Sequence, residues 1–223
     1  MRLILAGCEY SGTSTLANAI SEWAAKATGI SMSIHDHFQI PYVSHHEMTD
    51  EELEAFLALP PHLKQGYQWH ALAYHSMPAW LQKEDYILVG FQTAEAVYSP
   101  LYYGYGRPWE YAQADILAHH YEVSVMKSMP YIVQVLVEAS PEVIAKRMKE
   151  NPHKYGLLQE NDIEHVLQRF KDEHTRSLVR RKNIILNTSE ATVDETVADF
   201  VEQMERWWSE YDLQRLVSGD RSA

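Results

Sequence analysis

The stretch "GCEYSGTST", residues 7 to 15, follows directly on the apolar run "RLILAG". It meets the phosphate-binding pattern G-x-x-x-x-G-K-[ST] at Gly7, Gly12 and Ser14, with Thr13 standing where the lysine belongs. Glycines at these positions let the backbone curl so that successive N–H groups point inward. The N-terminus of a following helix then adds positive potential for phosphate oxygens. None of that chemistry depends on a lysine. Ser14 holds the hydroxyl position that ligates magnesium between the outer phosphates of a nucleotide, with Thr15 a weaker candidate beside it. Thr13 cannot place a point charge between the β and γ phosphates, where negative charge develops during transfer. Either another cation substitutes or transfer is weak.

For the loop to work, a strand must precede it and a helix follow it. Leu3 to Ala6 is a short apolar run, and in residues 14–29 Leu16, Ala19, Ile20 and Trp23 recur at helical spacing, with Gly29 as the C-cap. Residues 30–41 read as a second strand ending at Pro41. Residues 42–82 read as two helices broken by Pro60 and Pro61, with Thr49 and Glu52 spaced as a capping box. "DYILVGFQ" (85–92) and "YIVQVLVEAS" (131–140) are rich enough in β-branched and aromatic residues to be strands buried on both faces. A helix opens at Ser140 with Pro141 at its first position. Another within 161–182 carries Ile163, Val166, Leu167 and Phe170 on one face, and the lid-sized "HKYGLLQE" lies between them. "NIILNTS" (183–189) is a fifth strand, and 192–208 a last helix with Thr192 and Glu195 as a second capping box. This alternation predicts an α/β fold with a mainly parallel sheet covered on both faces. Ligands bind such sheets at the carboxyl ends of the strands, where residues 7–15 lie.

The 223 residues carry 19 Lys and Arg against 31 Asp and Glu, a net charge of −12, scattered rather than clustered. That balance disfavours a nucleic-acid partner. Cys8 is the single cysteine, which excludes an intramolecular disulfide and suits a reducing compartment. No stretch approaches the roughly 20 apolar residues of a membrane span, and "MRLILAG" is too short for a signal segment, so a soluble, cytoplasmic protein is expected.

The stretches "GCEYSGTST", "HDHF", "EAVYSPLYYG", "SPEVIAKRM" and "NIILNTSEATVDETV" resemble those of P-loop nucleoside and nucleotide kinases, specifically the thymidylate-kinase-like group of the NMP-kinase fold. The resemblance runs over nearly the whole length. It implies one domain, 1–223, of three layers α/β/α, with a five-stranded sheet, a small helical lid near 147–162 and an acceptor-binding helical insertion near 42–83. It implies ATP and magnesium as ligands, held by Gly7, Gly12, Thr13, Ser14 and Thr15. Asp36 in "HDHF" matches the family's acidic residue at the end of strand two, which faces the acceptor. A carboxylate there can accept a hydroxyl proton or hold magnesium with Ser14; a strand-end turn cap is the alternative role. Arg147 matches the helix leading into the lid, where arginines close over the phosphates, with Lys154 behind it. A lid cation of this kind would replace the missing lysine. Asn187 and Thr188 match the segment that packs on the nucleotide base. The family's charged pair after strand three is absent: Gly90, Phe91 and Gln92 stand there, and Arg107 is the candidate to compensate.

His35 and His37 flank Asp36, and a second pair follows at 45 and 46, but no HExxH or paired-cysteine spacing accompanies them. His37 is therefore expected to line the acceptor pocket, together with Tyr67 and Tyr102, in a region whose aromatics suit a planar base. The tail "ERWWSEYDLQRL" is expected to dock by its tryptophans or to form a homodimer contact. The expected function is transfer of the γ-phosphate of ATP to a small nucleoside- or nucleotide-like acceptor. The alternatives are a nucleotide-binding module that has lost catalysis, and a kinase for a hydroxyl on a modified nucleobase.

Overall fold

The computed structural model describes residues 1–36, 38, 49–77 and 85–219. Five strands, β1 (Arg2–Gly7), β2 (Ser33–His35), β3 (Tyr86–Val89), β4 (Val133–Glu138) and β5 (Arg181–Asn187), form one sheet in the order β2-β3-β1-β4-β5. Every pairing is parallel, and β1, the strand that feeds the loop, sits at the centre with Leu3 opposite Ile87 on one side and Val133 on the other.

A strand's side chains alternate between faces, and the central strands use that period to build two cores. Leu3, Leu5, Ile87, Val89, Val133, Val135, Val137, Ile184 and Leu186 pack on one face against α1 (Thr13–Thr28) and α8 (Val193–Met204), with Phe200 fully buried among them. Ile4, Ala6, Tyr86, Leu88 and Leu136 face the other way, towards α4 (Phe91–Tyr98), α5 (Ala114–Ser128) and α7 (Ile163–Arg176). The expected three-layer α/β/α arrangement is therefore the observed one.

Local signals fix several boundaries. Gly29 ends α1 in the left-handed conformation, its N–H bonded to Ala25 O. Both capping boxes form, Thr49 with Glu52 opening α2 (Asp50–Leu57) and Thr192 with Glu195 opening α8. Pro61 starts α3 (Pro61–His75), and Ser140 caps α6 (Pro141–Glu150) with Pro141 at its first position.

Three expectations need correction. Among the described residues the second strand is Ser33–His35 and starts later than expected, residues 30–32 lying outside it; most of the expected run beyond Asp36 to Pro41 lies outside the described residues. The helix placed within 161–182 ends at Arg176, and β5 begins at Arg181, with Lys182 Nζ donating to Thr175 O and Ser177 O across the turn. Helix α5 was not anticipated. The tail beyond α8 docks as well: Trp208 stacks on Trp23 with ring centroids 5.9 Å apart, and α9 (Glu210–Gly219) follows, its Arg215 paired with Asp85 and Asp212.

Phe200→Ala empties the centre of the α1/α8 core and should lower stability by about 3–5 kcal/mol, read as a reduced urea midpoint at constant m-value. A midpoint within experimental error of the parent protein would mean that this face contributes little to the fold.

Candidate phosphate-binding site

The loop between β1 and α1 is shaped by close approach. A Cβ added at Gly7 would lie 2.5 Å from Val137 O and 2.6 Å from Ser11 Oγ, so no larger residue fits without moving backbone. Tyr10 and Gly12 both adopt positive φ, 65° and 95°, which reverses the chain and sets Gly12 as the N-cap of α1. Ser14 and Thr15 are exposed on the first turn of that helix. Cys8 is buried within the loop, and burial pushes its thiol up to about 12, so it stays protonated and unreactive.

Asp36 immediately follows β2 and lies across from the loop. Ser14 Oγ donates to Asp36 Oδ2 at 2.5 Å. Although solvent still reaches Asp36, loss of surrounding water raises the pKa of its carboxyl, and the Ser14 hydrogen bond pulls the other way. The pair thus sets two hard oxygen donors side by side at the mouth of the loop, a donor chemistry that suits magnesium.

The opposite wall is a brace. Arg147, on α6, donates from Nη1 to Tyr10 O at 2.9 Å and to Thr188 Oγ1 at 3.0 Å, and from Nη2 to Thr188 O at 2.7 Å. Thr188 Oγ1 donates in turn to Ser11 O at 2.7 Å. The guanidinium expected to close a lid over phosphate is bound here to two backbone carbonyls and the Thr188 hydroxyl. Lys154 also points elsewhere, to Asp50 at 2.6 Å.

A cavity of about 420 Å³ runs from Asp36, Val89, Gly90 and Ala94 past the loop to Thr188, Ala191, Val193 and Thr196. Gly7, Gly12, Thr13, Ser14, Thr15, Asp36, Arg147 and Thr188 all line it. Four other candidates are not brought to it. Asn187 turns its Oδ1 to Ser189 N, Tyr67 packs edge-on against Phe56, Tyr102 donates to Asp162, and exposed Arg107 meets Glu110 through its backbone. His37 lies outside the described residues, as does part of the 42–83 insertion. Among the described residues, the one Lys or Arg lining the cavity is Arg147, against the carboxylates Glu9, Asp36 and Glu150.

At the end of β3, Gly90 and Phe91 take consecutive positive φ values of 78° and 39°. Phe91 is buried edge-on against Phe38 and Gln92 donates to Glu122, so this turn brings no charge to the cavity. Sequence reasoning missed Glu9 and Tyr10, which line the cavity from inside the loop pattern's variable positions. It also missed Glu95, one residue from the cavity-lining Ala94, whose carboxyl is fully buried and pushed up to about 8 by that burial. Nothing in its helical sequence context distinguishes it from a surface glutamate.

Among the described residues no cluster of three His, Cys, Asp or Glu side chains is arranged to hold a metal, and no helix is long and apolar enough to cross a membrane. No known family's sequence profile matches the chain, and no curated protein is similar to it in sequence. Solved structures are similar in shape. The YorR protein of Bacillus subtilis, in complex with phosphorylated GDP, is 16% identical over 94% of this chain and 100% of its own, with a TM-score of 0.54. Thymidylate kinase from Ehrlichia chaffeensis is 13% identical over 92% and 98%, with a TM-score of 0.56. Deoxyadenosine kinase from M. mycoides, with bound dATP, is 13% identical over 92% and 99%, with a TM-score of 0.57. At such identities the likeness is one of fold, and the fold of this chain is that of the P-loop nucleoside and nucleotide kinases.

Proposed function

We propose that the chain is an ATP-dependent phosphotransferase acting on a small nucleoside- or nucleotide-like acceptor. The observation that carries this reading is the Ser14–Asp36 hydrogen bond beside a glycine-framed loop, at a cavity of about 420 Å³ that both residues line. Gly7 packs directly against Val137 of β4 and Gly12 caps α1 at positive φ, a glycine-framed turn whose chemistry suits a phosphate. Magnesium fits the oxygens of Ser14 and Asp36, and when bound it supplies positive charge to the phosphates. Asp36 orients the acceptor hydroxyl and takes its proton as that oxygen bonds to the γ-phosphorus and the bond to the ADP oxygen breaks. Arg147 and Thr188 keep the loop in shape from the nucleotide side. In this reading residues 1–223 act as one unit, with 42–83 receiving the acceptor and 147–162 covering the donor. A cytoplasmic setting goes with the single, buried, free cysteine.

Asp36→Asn should cut kcat by about 100-fold or more with the urea midpoint little changed, and Ser14→Ala should do the same through loss of the metal-side hydroxyl. Full activity in both variants would remove the assignment. Because burial raises the Asp36 pKa, the base is lost to protonation at a higher pH than an ordinary aspartate near 3.9. In the metal-free protein the Asp36 carboxyl should therefore titrate above that value by NMR; titration at or below it would show that burial does not govern this carboxyl.

A second reading, a nucleotide-binding module without transfer, is favoured by Arg147 being, among the described residues, the one Lys or Arg that lines the cavity. Thr13→Lys separates the two. In a working kinase it should raise kcat by about tenfold or more by supplying the missing charge. Calorimetric ATP binding with no phosphorylated product from a metabolite mixture, in both the parent protein and Thr13→Lys, would establish the module instead.

A further inference from the structure

The residues 151–159 that follow α6 are bound to the phosphate loop by the loop's own side chains. Glu9 Oε2 accepts from the backbone N–H of Leu157 at 2.9 Å and of Leu158 at 2.7 Å. Tyr10 Oη accepts from the N–H of His153 at 3.0 Å, and the two rings stack with centroids 4.2 Å apart. His153 Nδ1 lies 3.8 Å from Glu9 Oε1. Glu9 is itself fixed, since its backbone N–H donates to the buried Tyr98 hydroxyl at 2.8 Å and its side chain is 6% exposed. Tyr10 holds its positive φ of 65° with Arg147 on its carbonyl.

Two successive backbone N–H groups converging on one oxygen form an anion-binding concavity, and here the anion is a side chain of the phosphate loop. Leu158 is buried in the α4/α6/α7 core, so its N–H has no solvent to turn to if the carboxylate is withdrawn. Meanwhile Lys154 and Tyr155 both reach Asp50 at the start of α2, away from the cavity. The segment is thus pinned at two sites, and neither contact involves a cation directed at phosphate.

We infer that Glu9 is a positioning residue: its carboxylate, assisted by Tyr10, seats residues 153–158 on the phosphate loop, so that the cavity wall at Asn151 and His153 is set before any ligand enters. A covering segment that closes by its own cations is drawn in by the phosphate. One held by a loop carboxylate is already in place, and phosphate affinity then depends on Glu9 although Glu9 offers no positive charge.

The test is amide hydrogen exchange on the ligand-free full chain, which decides the matter whether or not the protein transfers phosphate. Glu9→Ala should speed exchange at Leu157 and Leu158 by about tenfold or more, with the amides of Val133–Glu138 unchanged as the measure of an intact fold. Glu9→Asp keeps the charge but draws the carboxylate back by one methylene and should have the same effect. Glu9→Gln keeps an acceptor oxygen in reach and should restore protection. ADP affinity, measured by calorimetry, should fall severalfold in the Ala and Asp variants and recover in Gln. Exchange at Leu157 and Leu158 matching the parent protein in Glu9→Asp would overturn the inference, and this variant decides it if Glu9→Ala does not fold.

Discussion

One guanidinium holds the site together. Arg147 joins the glycine-framed loop between β1 and α1 to the turn after β5 by donating to Tyr10 O, Thr188 Oγ1 and Thr188 O. A loop rich in glycine and positive φ has many conformations available, and ordering it carries an entropic cost that local contacts alone do not offset. Fixing Tyr10 O from α6, and Ser11 O from Thr188, removes that freedom from the side remote from Asp36. The loop's shape is therefore a property of the tertiary structure, with β4 behind Gly7, α6 beside Tyr10 and β5 beyond Ser11.

This explains which parts of the molecule could be read from sequence. Signals between near neighbours survived: the capping boxes at Thr49 and Thr192, the proline at the first turn of α6, Gly29 at the end of α1, and the strand-loop-helix spacing of residues 2 to 28. Asp36 was legible through the resemblance of "HDHF" to the kinase family, and the structure sets it just past the end of β2 with Ser14 Oγ bonded to it. Helix α5 was missed although Ala114, Ala118, Tyr121 and Val125 recur along one side. Histidines and a buried glutamate interrupt the apolar pattern, and Glu122 is accommodated only because Gln92 and the N–H of Leu178 satisfy it. The Arg147–Tyr10 bond and the bonds of Glu9 to Leu157 and Leu158 link residues more than 130 positions apart, and no local pattern marks them.

The charge distribution departs most from expectation. Arginine and lysine in and behind α6 were natural substitutes for the loop lysine, yet Arg147 is bound to carbonyls and Lys154 to Asp50. A guanidinium with two donor groups already engaged has less to offer a phosphate, and an exposed ion pair such as Lys154–Asp50 is worth little in itself. Among the described residues the cavity is lined by the hydroxyls of Thr13, Ser14, Thr15 and Thr188, the carboxylates of Glu9, Asp36 and Glu150, and Arg147.

The turn after β3 bears on any attempt to add a charge to this side of the cavity. Side-chain direction is set by the backbone, and at Phe91 a φ of 39° sends the ring inward against Phe38 instead of towards the cavity. An arginine grafted at position 91 would inherit that direction and meet an apolar cluster, where an unpaired charge is costly. The absence of a charged pair here is written into the main chain, so re-engineering it requires rebuilding the turn and not merely exchanging residues.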